Sequence, residues 1–185
     1  MQVKLKDIAE IQFGYYGQPS KDGSVLYLQA KQFNEFGQFI HDGDALLEVD
    51  DKVNENLLED GDVLFAGKGF RFFATEYRKE IGKAVASSIF FIIKVNKERV
   101  VPAYLVSVLN LPKNILHFQQ SGAGSSIPSI RKSELLDFSF NLIPLAQQHK
   151  VVKLQELHLK DIALTRNLIN QKQLLFQTAL LQIIK

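Results

Sequence analysis

The sequence predicts an α+β chain: a mixed, mostly antiparallel, strand-rich domain with small helices over residues 1–143, then one long coiled-coil-type helix over 144–185. Three observations carry this. Short apolar runs bounded by Gly and Pro recur through the first part, as strands do. From Pro144 onward there is no Gly and no further Pro, and apolar residues recur at helical spacing. With 46% hydrophobic residues, 14 Phe and 185 residues, the chain can bury a core and still carry an extension.

Taken in order, Val3 to Ile11 holds Leu5, Ile8, Ala9 and Ile11, a spacing that reads as a short helix or helical turn. Gly14-Tyr15-Tyr16-Gly17 follows as an exposed aromatic loop. Val25 to Ala30 alternates as a strand, Lys31 to Asn34 is a polar loop leading to Gly37, and Phe39-Ile40 is an edge strand before a turn at Asp42-Gly43-Asp44. Gly61 to Gly69 encloses a strand with a basic loop at its end. Arg71 to Ala74 and Lys83 to Val95 are further strands, the latter through Ile89, Phe90, Phe91, Ile92 and Ile93. Pro102 opens a helix to Asn110 that Leu111-Pro112 closes, and Lys113 to Gln120 forms another. Ser121 to Pro128 is a flexible loop, Ile130 to Leu135 a helical turn and Phe138 to Leu142 a strand.

The long helix, about 60 Å at roughly 1.5 Å per residue, outspans a small domain and must bury its apolar face on something besides its own body. Val152, Leu159, Ile162, Ile169, Phe176, Leu180 and Ile183 lie at the alternating spacing of a coiled-coil seam, which Arg166 and Gln173 interrupt. Such polar seam residues fix register or orientation. A second face carries Leu154, Leu157, Leu164, Leu168 and Leu175. Pairing with another long helix accounts for both faces better than packing on the chain's own domain.

The residues exclude several chemistries. There is no Cys, which removes disulfides and thiolate zinc sites. No signal-like or membrane-length apolar run is present, so a soluble cytoplasmic protein is expected. His41, His117, His149 and His158 show no metal-binding spacing, and Ser121, Ser125 and Ser126 lack a nucleophile elbow. Gly61 to Gly69 fails as a phosphate loop, with five residues where four belong and Gly69 in place of Ser or Thr. Asp50-Asp51-Lys52, with Asp42 or Asp44, nominally fits a metal-dependent nuclease, but in a segment crowded with acids. No catalytic residue, metal or cofactor is expected. The net charge of +2 is small, yet His41 to Asp62 is strongly acidic and Val63 to Val100 basic, so one face could meet an anion. The residues favour a binding module, with a helical scaffold that binds no DNA as the alternative.

An ordered set of motifs then emerges. Gly61-Asp62-Val63-Leu64-Phe65 precedes a Gly-rich basic loop; Gly82-Lys83 leads into an apolar strand; Pro102-Ala103-Tyr104-Leu105 follows, then Ser121-Gly122 through Ser126-Ile127-Pro128-Ser129-Ile130, and finally Phe140-Asn141-Leu142-Ile143-Pro144-Leu145-Ala146-Gln147-Gln148 with a long helix. Over nearly the whole chain this resembles the DNA specificity subunit of Type I restriction-modification enzymes. The resemblance implies a target recognition domain that reads half of a split double-stranded DNA sequence, catalyses nothing, and docks modification and restriction subunits. The family's full subunit has two such domains and two antiparallel helices. This chain has one of each, which implies a half-length form whose helix needs a partner: a homodimer with antiparallel helices would rebuild the two-domain shape, and a fragment, or a chain pairing with a different half, is the alternative.

Reading DNA needs cations on phosphates and polar or aromatic groups at bases. The expected phosphate and groove contacts are Lys31, Lys68, Arg71, Lys83 and Arg131. The expected base contacts are Tyr15, Tyr16, Gln32, Asn34 and Ser126. Phe33, Phe70, Phe72 and Phe73 are expected as core or loop anchors.

Overall fold

The computed structural model describes residues 1–34, 36–40, 45–122 and 126–184. The strands are β1 (Gln2–Lys4), β2 (Ala9–Phe13), β3 (Val25–Leu28), β4 (Leu46–Leu47), β5 (Val63–Ala66), β6 (Phe73–Glu76), β7 (Ala84–Ala86), β8 (Phe90–Val95) and β9 (Ser139–Asn141). The α-helices are α1 (Asp51–Glu55), α2 (Pro102–Leu109), α3 (Pro112–Ser121), α4 (Lys132–Asp137) and α5 (Leu145–Ile183). Short 3-10 turns occupy Leu5–Asp7, Ala30–Gln32 and Lys79–Ile81.

The centre is a four-stranded antiparallel sheet in the order β2-β8-β5-β6, with Phe65 opposite Phe91 and Val63 opposite Ile93. Strand side chains alternate between faces, and β5 is buried on both. Val63 and Phe65 join Ile93 and Phe91 in a core with Leu105 and Leu109 of α2, Phe118 of α3 and Leu135 of α4. Leu64 and Ala66 point the other way, with Phe90 and Ile92, onto Leu28, Ala84 and Ala86 of a second sheet ordered β4-β3-β7. Beyond that sheet, Val25, Tyr27, Leu47 and Val85 pack with Val53 of α1. The body is therefore layered as helices, large sheet, small sheet and one short helix. Among the described residues, β3 and β7 pair in parallel and the other paired strands are antiparallel.

Several elements differ from the sequence expectation. Val3 to Ile11 is two strands around a 3-10 turn, because Val3 pairs with Phe140 and Ile11 with Ile93. The 3-residue spacing of Leu5, Ile8 and Ile11 is compatible with that turn too. Lys83 to Val95 is two strands in different sheets, broken where the Phe90 amide bonds back to the Ser87 carbonyl at 2.9 Å. Pro112 opens α3 instead of only closing α2, since a first helical position needs no N–H. Arg71 and Phe72 precede β6, and Phe39 forms only an isolated bridge with Phe33. The turn expected at Asp42 to Asp44 lies outside the described residues, as do Ala123 to Ser125 of the small-residue loop.

α5 begins at Leu145 after Pro144 and runs 39 residues. Its first turns are embedded in the body. Val151 and Val152 pack on the helical core, and Gln148, fully buried, is the anchor. The Gln148 Oε1 accepts from the Val101 amide at 2.8 Å, and its Nε2 donates to the carbonyls of Arg99 (2.9 Å) and Ile143 (2.8 Å). Each such bond contributes on the order of 1 kcal/mol, and an unmet buried amide would cost more. The start of α2 and the root of α5 are thus held as one piece.

Candidate nucleic-acid interface

One end of the four-stranded sheet gathers four loops. They are Phe13 to Gly17 after β2, Gly67 to Phe72 between β5 and β6, Ser87 to Ile89 before β8, and Ser126 to Arg131 before α4. Backbone bonds mesh them. The Gly14 amide donates to Phe90 (2.9 Å), Tyr15 to Ala86 (2.8 Å), Gly67 to Ile89 (3.0 Å), Gly69 to Pro128 (2.9 Å) and Ile130 to Gly67 (3.0 Å). Lys68 and Ser129 form an isolated antiparallel bridge. Two glycines are required here. A Cβ on Gly14 would lie 2.1 Å from the Ser87 carbonyl oxygen, and Gly69 has φ of +114°, which strains any other residue.

On this fixed base the side chains point outward. Tyr16 is 78% exposed, Phe70 82% and Phe13 61%. Phe13 rests against Phe91 at a ring distance of 5.4 Å, and the Lys132 ammonium lies 5.6 Å over its face, a cation–π arrangement. Lys68, Ser126 and Arg131 are exposed on the same loops. Arg71 joins a fifth segment to them. Its Nη2 donates to the carbonyls of Ala30 and Phe33, both at 2.8 Å, while the guanidinium stacks 4.6 Å over Phe73. The exposed Lys31, in the Ala30–Gln32 turn, is thereby drawn to this end. Such a surface offers cations for phosphates and flat rings for bases on a scaffold that need not reorganise.

The expected contact residues divide. Lys31, Tyr16, Lys68, Ser126 and Arg131 stand exposed at this end. Arg71 is there too, but as a strut that orders Lys31 and Phe33. Gln32 is corrected: it is fully buried, and its Oε1 accepts from the Gln29 amide at 2.8 Å, so it cannot meet a base. Tyr15 is likewise half-buried against Tyr27, whose hydroxyl donates to the Tyr15 carbonyl at 2.9 Å, so only Tyr16 fits the exposed aromatic loop. Asn34 organises its own loop: Oδ1 accepts from the Phe36 and Gln38 amides and Nδ2 donates to Gln38 Oε1, all at 2.9 Å. Lys83 stands apart from the others. It precedes β7 beside Leu26 at the far end of the molecule, where the Tyr77 hydroxyl donates to Gly82 at 2.7 Å. Phe33, Phe72 and Phe73 are buried anchors as expected, whereas Phe70 is the exposed tip that sequence reasoning missed. Its signal was the Gly69 beside it, whose turn throws the next side chain outward.

At the opposite end of the sheet, charges serve the fold. Lys94 lies 2.6 Å from Glu59 and 3.7 Å from the buried Asp62. The Lys94 hydrogen bond, then its charge, lowers the Glu59 pKa, whereas burial pushes the Asp62 carboxyl up despite its bond from the Glu59 amide. Of the acids at nuclease-like spacing, Asp50 has a structural role: it caps α1 by accepting from the Val53 amide at 2.6 Å. Asp42 and Asp44 lie outside the described residues. Among the described residues no group of three metal-ligating side chains assembles, and no helix is long and apolar enough to cross a membrane.

The seam of α5 also divides. Val152 is half-buried on the core, Leu159 and Ile162 line a cleft facing the body, and the Arg166 guanidinium lies 5.0 Å over Phe36 of the same chain. Arg166, expected as a polar interruption of the seam, thus also contacts the body of its own chain. Ile169, Gln173, Phe176, Leu180 and Ile183 stand exposed on the part of α5 that projects past the body.

The same architecture occurs in solved proteins. A structure describing complex assembly and conformational transition of a type I restriction-modification system matches 99% of this chain and 49% of its own, at TM-score 0.67 and 19% identity. The Type I restriction-modification S subunit of M. genitalium matches 85% of this chain and 38% of its own, at TM-score 0.60 and 10% identity. The HsdS subunit of Thermoanaerobacter tengcongensis matches 88% and 38%, at TM-score 0.58 and 14% identity. The chain thus spans half or less of the length of each. No individual curated protein matches the sequence. The family model for the Type I restriction modification DNA specificity domain, however, matches residues 1–172, so the chain belongs to the Type I restriction-modification DNA specificity family.

Proposed function

We propose that this chain carries one target recognition domain that reads one half-site of a split double-stranded DNA sequence in the cytoplasm. Family membership supports DNA recognition. The observation that carries the location is the loop end of the four-stranded sheet, where exposed cations and aromatic rings stand on a hydrogen-bonded base. Lys31, Lys68 and Arg131 contact phosphates and set register; Tyr16, Ser126 and Phe70 reach bases. The subunit supplies sequence choice, while associated modification and restriction subunits supply chemistry.

One domain reads one half-site, so two copies joined through antiparallel α5 helices read an interrupted palindrome, because a two-fold dimer presents identical surfaces. The test is selection from a random duplex library at rising salt, with and without a modification subunit. The expected result is an enriched inverted repeat with a fixed spacer. Binding that decays with salt and enriches no sequence would leave only phosphate attraction, and a dimer that protects no DNA would leave a scaffold.

A further inference from the structure

Phe13 stands at the loop end of the large sheet and takes no part in the contacts proposed above. It closes β2, an edge strand, and lies opposite Phe91 of β8. The Gly14 amide donates to the Phe90 carbonyl at 2.9 Å, so Phe13 and Phe91 form the adjacent non-hydrogen-bonded pair, in which side chains come close. Their ring centroids are 5.4 Å apart. Phe91 in turn lies opposite Phe65, and a row of three phenyl rings crosses the sheet on the face that bears the helices. Phe65 and Phe91 are buried, but Phe13 is 61% exposed, so the row runs out of the core into solvent.

This ring differs from the other exposed ones in being fixed. Phe70 and Tyr16 sit in loops, whereas Phe13 belongs to a paired strand and is backed by a buried ring. Over it, Lys132 of α4 sets its ammonium 5.6 Å from the ring centroid, and among the described residues no carboxylate pairs with that ammonium. With Phe91 against it and Lys132 over it, the Phe13 ring is too crowded to slide between two stacked base pairs. In an intact duplex each base is covered by its neighbours, so a ring that cannot insert meets base edges alone. On the major-groove edge the bases carry donors, acceptors and one apolar group, the C5-methyl of thymine. That methyl is also the edge group nearest the backbone of its own strand, so a cation beside a ring on the methyl reaches a phosphate.

We infer that Phe13 determines specificity at one position of the half-site: its ring packs on the C5-methyl of a thymine, while Lys132 binds a phosphate of the same strand. The inference rests on the DNA reading proposed above, and it adds an apolar contact that separates thymine from the other three bases. Cytosine offers a hydrogen at that place and the purines offer N7, so neither supplies the methyl the ring covers.

Taking the methyl off the DNA tests this without altering the protein. In the duplex selected from the random library, each thymine of one half-site, on either strand, is replaced in turn by deoxyuridine, which pairs with adenine in the same way but lacks the methyl. With wild-type protein, in the same complex that gave the selection, one replacement should weaken binding roughly fourfold, about what burial of a single methyl group contributes. The other replacements should change little. Phe13→Ala should lose a similar factor on the thymine duplex and no longer distinguish thymine from deoxyuridine at that position. Its melting temperature should not move, since the ring is mostly in solvent. Phe13→Gln, whose stem still covers Phe91, gives the same comparison if the alanine variant does not fold. Lys132→Ala should reduce the salt slope by about 1 and keep the thymine preference. A selected half-site without thymine, wild-type binding indifferent to every deoxyuridine, or a deoxyuridine penalty that persists in Phe13→Ala overturns the inference while DNA reading stands, and an unchanged salt slope in Lys132→Ala overturns the part given to Lys132. A library that yields no enriched sequence overturns both the inference and the reading on which it rests.

Discussion

The two ends of the four-stranded sheet are built from the same strands and do opposite things with charge. At the end where β5 starts, Glu59, Asp62 and Lys94 neutralise one another, and the Lys97 ammonium donates to the Asp60 carbonyl at 2.7 Å. At the end where β5 finishes, the loops spend their hydrogen bonds on backbone and leave Lys68 and Arg131 exposed beside Tyr16 and Phe70. Exposure of a cation alone does not distinguish the two ends: Lys83 is exposed too, but among the described residues the outward-turned rings Phe13, Tyr16 and Phe70 lie at the other end.

The two ends should differ most in what the loss of their cations does to DNA binding. Lys68→Ala/Arg131→Ala should weaken DNA binding about 10- to 100-fold near physiological salt and reduce the salt slope by roughly 2, whereas Lys83→Ala changes affinity less than about twofold. Fluorescence anisotropy titrations at several salt concentrations measure both. Equal losses from the two ends would mean that binding is spread over the whole surface and that the loop end has no special part.

A smaller effect separates the aromatic contribution from the ionic one. Phe70→Ala should cost about tenfold in affinity for the selected sequence, in line with one base–aromatic stack, and leave the salt slope unchanged. Its side chain is almost wholly exposed, so the melting temperature should not move. A lost melting transition would instead assign Phe70 to folding, the role its composition suggested.

That contrast shows what the sequence made legible. The long helix was readable because its cause is local: Pro144 pre-sets the backbone, and no Gly or Pro interrupts the next 39 residues. β5 was readable because Gly61 and Gly67 bracket it. The strands around Leu5–Asp7 were not, since their pairing partners, Phe140 and Ile93, are distant in sequence and tertiary pairing decided between two periods the residues allow equally. The same holds within the site. Lys68 and Arg131 are cations, which almost always stay exposed, so their type announced them. Gln32 and Gln148 are ambivalent polar residues, and only the fold shows that each serves a buried hydrogen-bond network. The cleft beside α5 was illegible because its walls come from four separate segments.

The smallest effect belongs to the paired end, and its sign is opposite to the usual one for a carboxylate in an ion pair. Burial raises the Asp62 pKa above its ordinary value, so the folded state holds that proton more tightly than the unfolded state does. Stability contributed by this group therefore grows as pH falls from neutral toward the ordinary carboxylate range, and is lost as pH rises through the folded value. Asp62→Asn keeps an oxygen to accept from the Glu59 amide and removes the titration. At neutral pH it should match or exceed wild-type stability by less than about 1 kcal/mol, because the buried charge costs about what its partner returns. On acidification toward that range the advantage should shrink, as the wild type becomes protonated and the variant does not. Urea melts across pH, with DNA affinity measured alongside, check this. A variant that loses stability at neutral pH would make the Lys94 pair the stronger force, and one that loses DNA affinity would erase the division between the two ends of the sheet.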